Sequence, residues 1–368
     1  MKTIEKKRLK VIQLVPELNG GGVERGTLEV GKFLSKKNHE SIVVSNGGAM
    51  VSRLETEGSR HIQMPIHNKN PLSLLQVPLL RRLIIKEKPN VVHARSRLPA
   101  WISYLAIKTI SSSLRPKFVT TVHGFYSVNP YSEIMTRGDQ VICVSKSIRD
   151  YVTHNYPNTP PQKLSVIYRG IESRDYNFEY KPKSEWLENW YAAYPKTKKS
   201  KILILAGRMT RLKGHQEFFK IIKNLGSDYC GIVAGHVNDK KEGYLSELKT
   251  SVKQLGIQNR VIFLEHRDDL KDIFSISSSV FSLSTKPESF GRVVLEALSL
   301  GTPVIGYDIG GVGEILCNLF PEGKVPTSDY LSAIDRIKWW EKKPVKPKEN
   351  NFFQLEKMLS KTMDIYTQ

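Results

Sequence analysis

The sequence is short of acid. In 368 residues, 36 Asp and Glu stand against 56 Lys and Arg, a formal net charge of +20. Such a field repels cationic partners and attracts nucleic acid, anionic lipid headgroups or a phosphorylated substrate. The deficit is uneven: residues 1–120 hold 21 Lys and Arg against 8 acidic residues, a net of +13. A dispersed solvated face would give the same totals. Cysteine is scarce as well. Cys143, Cys230 and Cys317 lie far apart in apolar or strand-like settings, which gives neither a disulfide framework nor zinc-ligand spacing, so three buried, reduced thiols are expected. No run approaches the ~20 apolar residues needed to span a bilayer. Behind the basic segment 2–10, residues 11–15 are too few for a secretory core and are cut by Pro16. A soluble protein, at most attached to a membrane surface, is expected.

What the chain does contain is alternation. Its length suits two domains. Short apolar strands at 10–18, 41–45, 90–94, 118–122, 140–144 and 164–168 alternate with helical periodicity, the pattern of a parallel α/β sheet. A second such run starts at 201–208 and continues through strands near 231–234, 261–264, 280–283 and 303–307. Between them, residues 172–199 are charged and aromatic, with a short amphipathic helix expected around 184–194. Its Trp186, Trp190, Tyr191 and Tyr194 are read as packing. The segment 72–85 carries Arg81 and Arg82 and could form a surface helix, but Pro78 and the need to cover a sheet favour core packing. The basic, Trp339–Trp340-containing tail could mark a membrane interface, but reads first as a solvated connector to a last helix at 352–366. The expected division is a first domain at 1–180, an inter-domain segment at 181–200, a second domain at 201–345 and a returning helix at 346–368.

In open α/β sheets ligands sit beyond the carboxyl ends of strands, and several strand ends here carry chemistry. The first opens into Asn19-Gly20-Gly21-Gly22-Val23-Glu24, where glycine leaves room for a phosphate or sugar to meet backbone N–H groups. The loop lacks the spacing of a dinucleotide fingerprint, so a plain tight turn fits it equally. Others end in His93-Ala94-Arg95-Ser96-Arg97, in His123-Gly124-Phe125-Tyr126 and in Tyr168-Arg169-Gly170. In the second half Arg208 and Lys213, five apart beside a helix start, suit a diphosphate balanced without metal. Then comes Pro287-Glu288-Ser289-Phe290-Gly291, with a helix expected to begin near Phe290. Glu288 would stand at the loop mouth and Glu296 about two turns into the helix. Carboxylates bind hydroxyls and a helix N-terminus binds anions; together they suggest a sugar nucleotide.

With the Gly21–Glu24 loop, His123-Gly124, Val144-Ser145, Arg208/Lys213, Glu288/Glu296, the Gly301–Ile305 segment and Gly310-Gly311 with Glu314, the chain resembles the family 4 (group 1) glycosyltransferases over nearly its whole length. Segments 92–97 and 121–129 are most similar to the branch that builds lipopolysaccharide core. The resemblance implies the GT-B fold, two Rossmann-like domains facing across a cleft with a C-terminal helix crossing back to the first. It implies a retaining enzyme that uses a UDP- or GDP-sugar as substrate, requires no cofactor or metal, and works in the cytoplasm or at the cytoplasmic face of the inner membrane. A saccharide or lipid-linked acceptor, anionic in character, would be the partner, with peripheral membrane contact and no nucleic acid.

The resemblance also implies roles. Arg208 and Lys213 would neutralise the diphosphate leaving group. Glu288 would hold the donor sugar and Glu296 the ribose. Backbone N–H groups at Ser289, Phe290 and Gly291 would add donor contacts, as would Gly21 and Gly22. His123 would meet the transferred sugar near the reacting centre. Glu24, Arg95, Arg97, Phe125 and Tyr126 would face the acceptor, the two arginines reading its phosphate or carboxylate groups. Arg169 departs from the pattern, standing where Asn is often found. Two alternatives remain open on the residues themselves: a sugar-nucleotide epimerase of the same fold, and a basic nucleic-acid or membrane-surface binder.

Overall fold

A computed structural model describes residues 8–68, 71–178, 180–236 and 242–368. The chain packs as two units, one of residues 1–169 with 356–368, the other of residues 170–355. The boundary thus falls near 170 rather than the expected 180, and the described residues of 181–200 pack with the second unit.

Seven parallel strands build the first sheet: β1 (Lys10–Leu14), β2 (Glu40–Ser45), β3 (Arg60–Gln63), β4 (Val91–Ala94), β5 (Lys117–Val122), β6 (Gln140–Cys143) and β7 (Leu164–Val166). Their order is β3-β2-β1-β4-β5-β6-β7, with Ile12 paired to both Ile42 and Val92. Val11, Ile12, Leu14, Val91 and Val92 are buried, which is why these strands read as continuous apolar runs: helices cover both faces of a parallel sheet. The helices of this unit are α1 (Gly22–Lys36), α2 (Val51–Thr56), α3 (Gln76–Glu87), α4 (Arg97–Lys108), α5 (Pro130–Glu133) and α6 (Lys146–Asn155). α6 is capped by the Ser145 side chain, which accepts from the Ile148 N–H, a stabilisation of about 1 kcal/mol.

The second unit holds β8 (Lys201–Ala206), β9 (Tyr229–Ala234), β10 (Val261–Leu264), β11 (Ser279–Ser282), β12 (Val304–Tyr307) and β13 (Lys324–Val325). These too are parallel, in the order β10-β9-β8-β11-β12-β13. Its helices are α7 (Ser184–Ala193), α8 (His215–Asn224), α9 (Glu242–Gln254), α10 (Leu270–Ser275), α11 (Arg292–Ser299), α12 (Gly310–Leu319) and α13 (Tyr330–Lys342). The aromatics of α7 do pack: Trp186 stacks on Trp190 at 5.3 Å, and its Nε1 donates to Asp269. α8 buries Phe218, Phe219, Ile221 and Ile222, each contributing about 1.5–3 kcal/mol on burial.

The last helix, α14 (Leu355–Thr367), returns to the first unit. Its Tyr366 hydroxyl lies 2.6 Å from Nδ1 of His93, and Lys117 Nζ donates to the Ile365 carbonyl. In both sheets the strand order reverses beside the first strand, at β1/β4 and at β8/β11. These are the switch points where open α/β sheets bind ligands. Cys143 and Cys230 are buried as expected. Cys317 is exposed instead, because it stands on the outer face of α12.

Candidate active site

In the second unit the predicted residues gather at the β8/β11 switch point. β8 ends at Ala206, and Lys213 closes a single 3-10 turn at 211–213. Gly214, at φ +74°, abuts the Leu283 carbonyl closely enough that no Cβ would fit, and Thr285 N–H donates to the Leu212 carbonyl at 2.9 Å. The loop after β8 is thereby held on the loop after β11. Across it, Lys213 Nζ lies 2.8 Å from Glu288 Oε1. The Ser284 hydroxyl donates to the same oxygen at 2.5 Å. Glu288 Oε2 has no partner among the described residues and is free to accept from hydroxyl groups. Arg208, on the loop after β8, is exposed.

The loop carrying Glu288 is built on α12. The Gly311 N–H donates to the Glu288 carbonyl at 2.8 Å, and a Cβ at Gly311 would come within 2.3 Å of Phe290 Cα. This close approach explains the paired glycines at 310–311. Phe290 is buried edge-on to Phe353 at 5.8 Å, so it offers a ligand its backbone and not its ring. Ser289 is half-buried on the same loop.

α11 starts at Arg292, not near Phe290, because Gly291 at φ +103° turns the chain in the left-handed region. Glu296 therefore stands one turn into the helix rather than two. It is 8% exposed and accepts from Arg292 Nε at 2.9 Å, an i,i+4 pair.

In the first unit a second set collects beyond the carboxyl ends of β1, β4 and β5. Gly20 and Gly21 take positive φ, and Gly22 opens α1 with free space around its Cα. The Glu24 carboxylate folds back over Gly21, within 2.6 Å of where a Cβ would stand. Burial raises its pKa, opposed by a backbone hydrogen bond and by Arg169. Arg169 Nη2 lies 2.8 Å from Nδ1 of His123, and its guanidinium packs on Gly26 of α1, where any side chain would collide with it. A guanidinium only donates, so Nδ1 of His123 is the acceptor and the ring proton sits on Nε2. That Nε2 is shielded from solvent and has no partner among the described residues. Burial first, then the charges of Arg169 and Arg95, hold the His123 pKa well below the usual value. The ring is a fixed neutral donor.

The expected acceptor residues divide. Arg97 is held by Ser132 at 3.1 Å and packs over the rings of Tyr126 and Tyr131 at 4.8 and 5.4 Å. Tyr126 accepts from the His123 N–H through its hydroxyl, and Phe125 stands edge-on to Tyr151. Arg95 is different. It is 2% exposed and donates from Nε to Gln13 Oε1 at 2.8 Å, with Tyr366 of the last helix close enough to act on its charge. Its guanidinium is an interior strut between β1 and the last helix, so the expectation that it reads acceptor anions is withdrawn. Arg169 is the residue to which sequence reasoning gave no role, although it stood at a strand end and departed from the Asn of the family pattern. A cleft of about 470 Å³ in this unit lies at the opposite, amino ends of the strands, bordered by Phe118, Asp139 and Lys163. It contains none of the predicted site residues.

Two family models match the chain: Glycosyltransferase Family 4 over residues 20–174 and Glycosyl transferases group 1 over residues 188–354. A crystal structure of a glycosyltransferase from Rickettsia africae is 30% identical, with a TM-score of 0.86 over 98% of both chains. The chain belongs to the family 4, group 1 glycosyltransferases. Among curated relatives, N-acetyl-alpha-D-glucosaminyl L-malate synthase of Bacillus anthracis is 27% identical, the match covering 84% of this chain and 81% of the relative. Anabaena HepE, solved in complex with UDP-glucose, shares the fold: TM-score 0.82, 18% identity, 98% of this chain and 100% of that one. In this glycosyltransferase the two motif groups thus sit at the switch points of two GT-B Rossmann-like units.

Proposed function

We propose that this glycosyltransferase moves a sugar from a nucleoside diphosphate donor, a UDP- or GDP-sugar, to a hydroxyl of an anionic saccharide or lipid-linked acceptor, with retention at the anomeric carbon. The observation that carries the reading is the Lys213–Glu288 pair at the β8/β11 switch point. It joins a phosphate-binding cation to a hydroxyl-binding carboxylate in one rigid constellation. Arg208 and Lys213 neutralise the β-phosphate as the C1–oxygen bond breaks, which is where negative charge develops. Glu288, through Oε2, and the backbone N–H groups of Ser289–Gly291 hold the sugar. Glu296 accepts from the ribose and shares its charge with Arg292. His123 donates from Nε2 to a sugar oxygen.

For the chemical step the acceptor oxygen attacks C1 on the face the phosphate leaves, and the departing phosphate oxygen takes the acceptor proton. Oε1 of Glu288 is occupied by Lys213 and Ser284, which suits the carboxylate to binding rather than to forming a glycosyl ester. Glu24, Arg97, Phe125 and Tyr126 serve the acceptor, and the Gly21–Gly22 loop lets donor phosphates approach. The net positive charge of the first 120 residues supports an anionic acceptor, as does a relative named for malate, a small dicarboxylate. We place the reaction in lipopolysaccharide core or other cell-surface glycan assembly, at the cytoplasmic face of the inner membrane, on the likeness of segments 92–97 and 121–129.

The test is product NMR with a panel of UDP-, GDP- and ADP-sugars and an anionic saccharide acceptor. The product is expected to keep the donor's anomeric configuration, and Glu288→Ala to lower turnover at least ~100-fold while remaining folded. The ion pair, about a quarter exposed on each side, contributes roughly 1 kcal/mol or less to stability. Inversion of configuration, or conversion of the donor sugar with no acceptor present, contradicts the proposal.

A further inference from the structure

The sequence between Glu57 and Glu133 contains a single acidic residue, Glu87. The structure turns even that one away from open solvent: Glu87 is half-buried and binds Arg60 at 2.8 Å and Lys10 at 3.2 Å. What the same stretch exposes is apolar and cationic. α3 buries Leu80 and Ile84 against the sheet, as expected for a covering helix. Its opposite side carries Leu79, Arg82 and Lys86 and is continued by the cap residue Leu75, the four spaced i, i+4, i+7, i+11 so that they form one stripe. All four are exposed, Leu75 by 63% and Leu79 by 46%. Leu74 extends the apolar end, and Ile85 with Arg81 flanks the basic end. The Arg81 Nε reaches the Thr109 carbonyl at 3.4 Å, tying the stripe to the end of α4. There Lys108 and Leu114 are exposed too.

A monomeric soluble surface scatters its exposed leucines singly. Here they are clustered on one helix face, next to arginines and lysines and with no carboxylate among them. Leucines that enter the acyl boundary, flanked by cations whose long stems reach back to headgroups, make an in-plane interfacial helix. A protein partner would be expected to meet both charge signs, and a nucleic acid would leave the leucines unburied. We propose that the α3 face, with the end of α4, is a docking surface for an anionic lipid bilayer. The helix lies parallel to the membrane, Leu75 and Leu79 insert, and Arg82 and Lys86 pair with lipid phosphates. This deepens the membrane setting proposed above, yet it is independent of donor chemistry: a chain that fails to bind vesicles can still transfer sugar to a soluble acceptor.

The experiment is flotation of the full-length chain with vesicles of 30% phosphatidylglycerol in phosphatidylcholine, against pure phosphatidylcholine, at 0.1 and 0.5 M NaCl. The wild type is expected to float with the anionic vesicles at low salt at least tenfold more than with neutral ones, and to be largely released at high salt. Each cation near an anionic surface is worth about fivefold in binding, so Arg82→Glu with Lys86→Glu is expected to lower binding more than tenfold. Leu75→Ser with Leu79→Ser is expected to lower it severalfold at unchanged charge. All four positions are exposed, so both double variants should keep the wild-type circular dichroism and melting temperature. Equal binding to neutral vesicles, no binding at all, or binding indifferent to both pairs of substitutions overturns the proposal. A wild-type chain that ignores vesicles but dimerises in light scattering, with dimerisation lost in the leucine variant, gives the face to a second copy and also overturns it.

Discussion

At His123 the position of a proton follows from one neighbour. Because the Arg169 guanidinium donates to Nδ1 at 2.8 Å, the imidazole carries its hydrogen on Nε2 and resists taking a second. Arg169→Met removes both the donor and a nearby charge that lowers the ring's pKa. Nitrogen-15 NMR of the imidazole should then show mixed tautomers and a titration moved toward the ordinary range. An unchanged Nε2–H tautomer would show that Arg169 does not set it. A second histidine makes a stability prediction. Burial is the main cause that holds the His215 pKa at about 4, with Lys213 adding to it against a backbone hydrogen bond. Above about pH 6.5 the ring is neutral whether the chain is folded or not. Below that the unfolded chain binds a proton that the folded chain refuses, so stability falls between about pH 6.5 and 4 and levels off beneath, a loss of about 3 kcal/mol. Urea unfolding across pH 4–8 measures it, and in His215→Phe this part of the slope should vanish. Composition and strand-end position made His123, Arg97, Lys213 and Glu288 legible as candidates. Arg95 was misread because its partner Gln13 lies 82 positions away, and no local pattern announces such burial.

Among the elements, the start of α11 shows where local rules give way to tertiary contact. Ser289 and Glu288 are good N-terminal residues and place a helix start near Phe290. The chain instead turns at Gly291, whose φ of +103° accommodates Val312 of α12, a Cβ at Gly291 coming within 2.9 Å of its Cγ2. The Glu288 loop is therefore shaped by a helix about twenty residues further on, and its geometry is written in the glycines at 291, 310 and 311 rather than in capping residues. The central strands and their covering helices, by contrast, were legible to within a few residues, since buried parallel strands impose continuous apolar runs; the edge strands β3 and β13 carry no such run and were not foreseen. Gly311→Ala puts a methyl group into Phe290 backbone, so the loop must move. Overpacking of this kind costs about 1–3 kcal/mol. The melting temperature should fall, and donor affinity should drop at least tenfold because the Glu288 carbonyl loses its partner. A variant that melts lower yet binds donor normally would separate the loop from the site.

Over the whole molecule, two sheets of the same design each carry a motif group at the point where their strand order reverses, and the last helix returns to the first unit through Tyr366 and Ile365. That plan was legible from alternation and from the family motifs. The boundary near residue 170 was less so, because the aromatic stretch 184–194 looked like a connector and in fact packs on the second unit through Trp186 and Asp269. The central claim is that the second unit binds a nucleoside diphosphate through Lys213. Isothermal titration of UDP, GDP and ADP into the wild type and Lys213→Ala tests it most directly. One diphosphate should bind the wild type, and the substitution should weaken it at least tenfold, about 1.4 kcal/mol, with no change in melting temperature beyond a degree or two. Failure of all three to bind, or equal binding by both proteins, would contradict the account.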